Sequence, residues 1–181
     1  MGGRTRLAAL GAGLALVAGC AAERPVGPGA AATSLRSGPR GAAAEEAPVA
    51  TPAAYVARAA SYNLLVIRAS ELLPAPAANL AHNLAALDLA RDHRGLAAQL
   101  SFAGRRLDLL PGAGLLPNHQ RWLDEFAAAP TEAAYLRLMR RVHQNSHALH
   151  AAFAARGTSP TLRAVAANAA AVERRHWGLL Q

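Results

Sequence analysis

From Thr51 onward, apolar residues return every three or four positions, in four separate runs. Tyr55, Ala59, Tyr62, Val66, Ala69 and Leu73 make the first. At 3.6 residues per turn this spacing keeps all six on one face of a helix. Thr51 suits its cap, Pro52 its first turn, and Pro74 and Pro76 stop it. The second run, over about residues 77–109, holds His82, Ala86, Leu89, His93, Leu96, Leu100, Ala103 and Leu107. Gly95 interrupts it at a cost of about 1 kcal/mol and marks a candidate bend. A Gly/Pro loop from Pro111 to Pro117 leads to a short helix over about 119–128 carrying Trp122 and Phe126. The third long run starts after Pro130, with Thr131 as cap. Tyr135, Met139, Val142, Ser146, Leu149 and Phe153 form its stripe, and it ends near Gly157. The fourth begins at Ser159-Pro160 and carries Leu162, Val165, Ala169, Val172, His176 and Leu179.

Ala and Leu are abundant while Val and Ile are scarce, so the pattern predicts an all-α domain. Four stripes, with a short extra helix in the connection between helices two and three, predict a four-helix bundle. Two topologies remain. If the 111–130 connection crosses the bundle, helices two and three run parallel and His93 shares a layer with His147. In an up-down-up-down bundle, helices two and four run parallel and His93 shares a layer with His176. The length of the connection, with its own helix, favours the crossover.

The chain divides into three parts: residues 1–19, 20–50 and 51–181. The first has a basic start (Met1-Gly-Gly-Arg-Thr-Arg) and an apolar run, Leu7–Val17, too short to span a bilayer as a helix, which takes about 20 residues. It ends in Val17-Ala-Gly-Cys20, and Cys20 is the sole cysteine. This segment resembles the lipobox of bacterial lipoproteins. The resemblance implies cleavage before Cys20, acylation there, and a protein exported and held to the membrane by its lipid. Ala21, where an aspartate is the usual inner-membrane retention signal, points to the outer membrane. Residues 21–50, rich in Ala, Gly, Pro and Arg without apolar period, read as a disordered tether with an end-to-end distance on the order of 30 Å.

All nineteen basic residues are Arg, and the formal net charge is +8. Export, and the lack of a basic stripe with interleaved aromatics, argue against a nucleic-acid partner. There is no Gly-x-Ser-x-Gly elbow and no Gly-rich phosphate loop, so no enzyme class is indicated.

Several segments fall in a familiar order: the Tyr55–Leu73 helix; Leu89-Ala-Arg-Asp-His93 with Leu96 and Leu100; His119-Gln-Arg-Trp-Leu123; Ala134-Tyr135-Leu136 running to His147-Ala-Leu149; and Leu162-Arg through Glu173-Arg-Arg-His176. Over about residues 51–180 they resemble a family of exported bacterial proteins of unknown function, often labelled predicted outer-membrane proteins, with a ferritin-like four-helix domain. In that family pattern each long helix carries an inward polar residue: a Glu on the first, an Asp-His pair on the second, and a His on the third and fourth. Asp92-His93 and His176 match; the first position falls at or near Val66, and the third near Ser146, beside His143 and His147.

The candidate chemistry lies in the histidines. His93 and His176 sit on core stripes; taken singly, each reads first as a hydrogen-bonded core residue. His143, His147 and His150 share one face bordering the third stripe, and the first two have the i, i+4 spacing at which helical histidines share a metal. Glu173-x-x-His176 matches the Glu-x-x-His element of di-iron bundles, but the second helix offers no companion at that spacing. The sequence therefore predicts a lipid-anchored envelope lipoprotein without enzymatic activity, binding an unknown envelope partner. The alternative is a periplasmic copper- or zinc-binding protein using His93 with His147 or His176, helped by His143 and Asp92.

Overall fold

The computed structural model describes residues 50–74 and 79–181. Cys20, the segment around it and the expected tether lie outside the described residues. Those described form five helices and no strand: α1 (Pro52–Leu72), α2 (Leu80–Arg105), α3 (Pro117–Ala128), α4 (Glu132–Arg156) and α5 (Pro160–Trp177). None is long and apolar enough to cross a membrane.

Local chemistry fixes most of the boundaries. The side chains of Thr51, Asn79, Thr131 and Ser159 each accept a backbone N–H from the first turn that follows, and Pro52, Pro117 and Pro160 occupy first-turn positions where no amide partner is needed. α2 starts at Leu80, three residues later than its pattern suggests, because Asn79 caps it. It then runs without a break through Gly95. Its end is set by a close approach. The Leu107 and Leu109 amides both donate to the Gly104 carbonyl, and a Cβ on Gly104 would lie 2.2 Å from the Leu109 carbonyl oxygen. Asp108 turns the chain with φ 55°.

α1 packs against α2 and α4, and α5 against α4 and α2, while α3 lies on α1 and α4. Side-chain pairs give the directions. Tyr55, near the start of α1, meets His150 and Phe153 near the end of α4, and Ser70 meets Tyr135, so α1 and α4 are antiparallel. Asn168 donates to Gln99, and His176 faces Asp92, so α2 and α5 are antiparallel too. α2 and α4 therefore run the same way, with their first turns joined by a hydrogen bond between His82 and Glu132. The connection bearing α3 travels from one end of the molecule to the other, as the crossover topology requires.

The buried set follows the stripes closely: Tyr55, Leu65, Val66, Leu89, Leu100, Met139, Val142 and Phe153 centre the main core. Three stripe ends depart from it. His82, paired with Glu132, and Leu107 are half-buried, and Leu179 is exposed beyond the end of α5.

Candidate metal centre

Four buried side chains from three helices point at one spot: His93 from α2, His143 from α4, and Glu173 and His176 from α5. Each presents one donor atom, and these atoms lie within 4.8 Å of one another. His93, His143 and Glu173 are 0 % exposed and His176 1 %. Glu173 and His176 share a face because they are three residues apart on a helix. His143 and His93 reach them because α4 and α2 both flank α5.

The outward nitrogen of each imidazole faces an acceptor. His143 Nδ1–H donates to the Met139 carbonyl at 2.8 Å, His176 Nε2–H to Asp92 Oδ2 at 3.1 Å, and His93 Nδ1–H to Asn63 Oδ1 at 2.9 Å. A neutral imidazole carries one proton, so the three inward nitrogens are bare lone pairs. Yet His143 Nε2 lies 3.1 Å from His176 Nδ1 and 3.4 Å from His93 Nε2, and 3.5 Å from Glu173 Oε2. The three imidazole lone pairs converge with no proton between them, and they repel. A cation at their centre turns that repulsion into coordination. With metal–nitrogen bonds of about 2.0–2.1 Å, the edge of a tetrahedral shell is about 3.3–3.4 Å, close to the 3.1–3.5 Å that separate His143 Nε2 from the other three donors, within a set that spans up to 4.8 Å.

Glu173 is the fourth member of the cluster. Its Oε1 accepts from Ser146 Oγ, but its Oε2 is buried without a hydrogen-bond partner. Burial pushes its carboxyl up to about 8, against the opposing Ser146 hydrogen bond, so the carboxyl is largely protonated at neutral pH. Burial pushes the imidazoles the other way. His143 falls to about 4, despite its bond to Met139; His93 falls well below its usual range; His176 falls too, with Asp92 opposing. The cluster thus excludes protonated imidazole while holding three imidazole donors and one carboxyl group, which becomes a carboxylate donor on giving up its proton. The orientation of each ligand by an outer partner is the arrangement protein metal sites use. No thiolate or thioether is among the donors, so borderline ions such as Zn²⁺ or Cu²⁺ suit them best.

The expected ligands fare differently. His93, His143 and His176 come together. Asp92 stands one shell out, hydrogen-bonded to His176 and close to Arg91 and Arg175. His147 is not in the cluster, and His93 shares its layer with His143 instead. The reason is register. With α2 starting at Leu80 and the His82–Glu132 pair aligning the first turns of α2 and α4, His93 falls one turn nearer the start of α4 than a helix beginning at residue 77 would put it. His176 joins the same layer although α2 and α5 are antiparallel, because α5 is 18 residues long against 26 and ends midway along α2. The face expected to border the core is largely inside it: His143 and His150 are buried, and His147 alone is half-buried.

Sequence reasoning noted Glu173 but did not place it among the ligands, and it missed Asn63. The polar contribution of α1 comes from Asn63, one turn before Val66, which packs in the core. Ser146 stands on the expected inward position of α4 and holds Glu173 rather than an ion.

The sequence profile described as domain of unknown function (DUF4142) matches residues 37–181. No curated protein matches the chain. Among solved structures, a crystal structure of a DUF305 fragment from Deinococcus radiodurans is similar in fold, with a TM-score of 0.60 and 18 % identity over 71 % of this chain and 91 % of that one.

Proposed function

The chain belongs to the DUF4142 family, whose description names no activity, and from the His93–His143–Glu173–His176 cluster we propose that it is a metal-binding protein holding one Zn²⁺ or Cu²⁺ ion. The observation that carries this reading is the convergence of three unprotonated imidazole nitrogens beside a buried carboxyl oxygen that has no hydrogen-bond partner. Four protein ligands fill a tetrahedral shell and leave no open position for a substrate, which favours holding an ion over turning over a substrate. This is the alternative reading from the sequence, with Glu173 added to its ligands and with His147 and Asp92 outside them.

The pairing of α1 with α2 and of α4 with α5, and the helix-bearing crossover between them, support a ferritin-like four-helix arrangement for the domain. Anchoring of this domain in the cell envelope by a lipid on Cys20, facing the periplasm from the outer membrane, rests on Val17-Ala-Gly-Cys20 and Ala21. Metabolic labelling with palmitate tests the anchor. Label and membrane fractionation are expected for the wild type and lost in Cys20→Ser; equal labelling of both would contradict it.

Calorimetric titration of the metal-stripped chain with Zn²⁺ and Cu²⁺ tests the centre. One equivalent is expected to bind at micromolar concentration or tighter, and His143→Ala is expected to abolish that binding while circular dichroism retains the helical signal. Binding that is absent, or that survives His143→Ala unchanged, would overturn the proposal.

A further inference from the structure

Four helix ends meet at the end of the bundle where α1 begins. Tyr55 stands against His150 and Phe153, so α4 ends there. A groove places Phe102 and Arg106 beside Thr161 and Val165, so α2 ends and α5 begins there too. Ala50 is half-buried and packs on the main core, so the chain reaches the domain at this same end. Charge is uneven along the bundle. Arg58, Arg105, Arg106 and Arg163 are exposed at this end, and among the described residues none of them forms an ion pair with a carboxylate. Of the acidic residues described, Asp108 alone lies here. The others surround the centre or, like Glu71 and Glu132, lie toward the opposite end.

Two large apolar side chains are exposed at the same end. Phe102, one turn before the end of α2, is 58 % exposed, and Leu110, at the start of the crossover, is 70 % exposed. One exposed apolar residue is ordinary on a protein surface. Here the apolar ground extends further, because an open groove of about 290 Å³ runs from Phe102 onto α5, lined by Ala103, Ala164 and Val165. Arg106 lines that groove as well, with its guanidinium 5.8 Å from the centroid of the Phe102 ring. That contact holds a positive charge at the edge of the apolar patch.

We propose that this end of the bundle docks on an anionic phospholipid surface, with Phe102 and Leu110 entering the boundary between headgroups and acyl chains and Arg58, Arg105, Arg106 and Arg163 meeting lipid phosphates. Apolar side chains among unpaired cations are what an anionic bilayer attracts, by burial and by charge together. Guanidinium matches phosphate in shape, and its apolar stem can lie along the acyl boundary while its head stays at the headgroups. The inference goes beyond a lipid on Cys20, which would hold the domain near a bilayer without fixing the face that meets it. Such a tether would enter at this end, whereas the opposite end lies about 40 Å away along the 26 residues of α2. Leu80, Leu84 and Leu87 are exposed toward that opposite end, but in the half that carries Glu71, Asp88 and Glu132, carboxylates that anionic lipid repels. The four metal ligands take no part, so docking does not depend on a bound ion.

The full chain carrying Cys20→Ser tests this without a lipid anchor. A fluorophore on Thr158→Cys, in the exposed turn between α4 and α5, marks the proposed docking end, and one on Ala129→Cys, between α3 and α4, marks the opposite end. Vesicles carry nitroxide-labelled lipid, either in equal parts phosphatidylglycerol and phosphatidylcholine or in phosphatidylcholine alone. On the anionic vesicles the Thr158 label is expected to be quenched at least twofold more than the Ala129 label, and on the neutral ones neither is quenched. Phe102→Ser, and Arg105→Glu together with Arg106→Glu, are each expected to remove most of the Thr158 quenching while circular dichroism stays that of the parent chain. High salt is expected to weaken it as well. Equal quenching of the two labels, equal quenching on neutral vesicles, quenching retained in both variants, or none on anionic vesicles would overturn the docking surface. None of these outcomes bears on acylation of Cys20 or on the metal centre.

Discussion

Each ligand of the cluster is aimed by a neighbour that does not touch the ion, so the centre is sensitive to residues that look structural. Asn63 fixes the ring of His93 through Nδ1. Asn63→Ala is expected to weaken Zn²⁺ binding about 10–100-fold, the range for lost outer-shell partners, with the stoichiometry kept at one. Glu173→Gln separates binding from folding. The carboxyl is held largely neutral by burial, so the isosteric amide replaces it at little cost to the metal-free protein, while the bound ion loses its anionic donor. Titration should show a Kd raised tenfold or more, with the melting temperature of the metal-free protein unchanged or higher. His93, His176 and Asp92 were legible in the sequence because they interrupt or adjoin an apolar stripe. Asn63 was not, because a short polar residue beside a stripe carries no periodic signal of its own. Glu173 stood out by its spacing from His176, but the di-iron pattern that spacing evokes needs a companion that α2 lacks. Its actual use, in a mixed imidazole–carboxylate set, depends on which helices adjoin.

At the scale of the elements, caps and stripes predicted all five helices to within a few residues, yet three residues at one cap moved the site. Starting α2 at Leu80 shifts the layer of His93 by a turn of α4 and exchanges His147 for His143. Stagger between helices is set by long-range pairs such as His82–Glu132 and by where a short helix stops, neither of which spacing along one helix contains. Two glycines of α2 make opposite predictions. A Cβ at Gly95 meets nothing within 4 Å, so Gly95→Ala is expected to stabilise the protein by about 1 kcal/mol through helix propensity alone. A Cβ at Gly104 would strike the Leu109 carbonyl, so Gly104→Ala is expected to destabilise it and to loosen the turn into the crossover. Urea unfolding of both variants checks the pair, and Gly104→Ala at or above wild-type stability would contradict this account of where α2 ends.

At the scale of the whole molecule, the buried titratable groups make stability depend on pH in two opposed ways. His119, in contact with Ser61, is pushed down to about 4 by burial, His150 to about 3 and His143 to about 4, while the unfolded chain titrates them near 6.5. The unfolded state therefore binds more protons below pH 6.5, and stability falls on acidification from about 6.5 toward 4 and below. Glu173 acts the other way. Its folded value of about 8 exceeds the unfolded 4.5, so its contribution is whole below 4.5 and is lost as the pH rises toward 8. Several histidines outweigh one carboxyl on the acid side, leaving the metal-free protein most stable near pH 6.5–7. Melting temperatures across pH 4–9 should trace that maximum, and Glu173→Gln should flatten the alkaline limb. Metal reverses that limb. A bound ion requires the carboxylate, so affinity rises as the pH climbs toward 8 and binding near pH 7 releases a proton.

His93, His143, His176 and Glu173 form one coordination shell in this account. Zinc-edge X-ray absorption on the full chain, loaded with one equivalent and dialysed, tests it most directly. The account predicts a first shell of four nitrogen or oxygen atoms at about 2.0–2.1 Å, with outer-shell scattering from three imidazoles that drops to two in His176→Ala. A water-rich six-coordinate shell, imidazole scattering indifferent to His176→Ala, or no zinc retained after dialysis would contradict it.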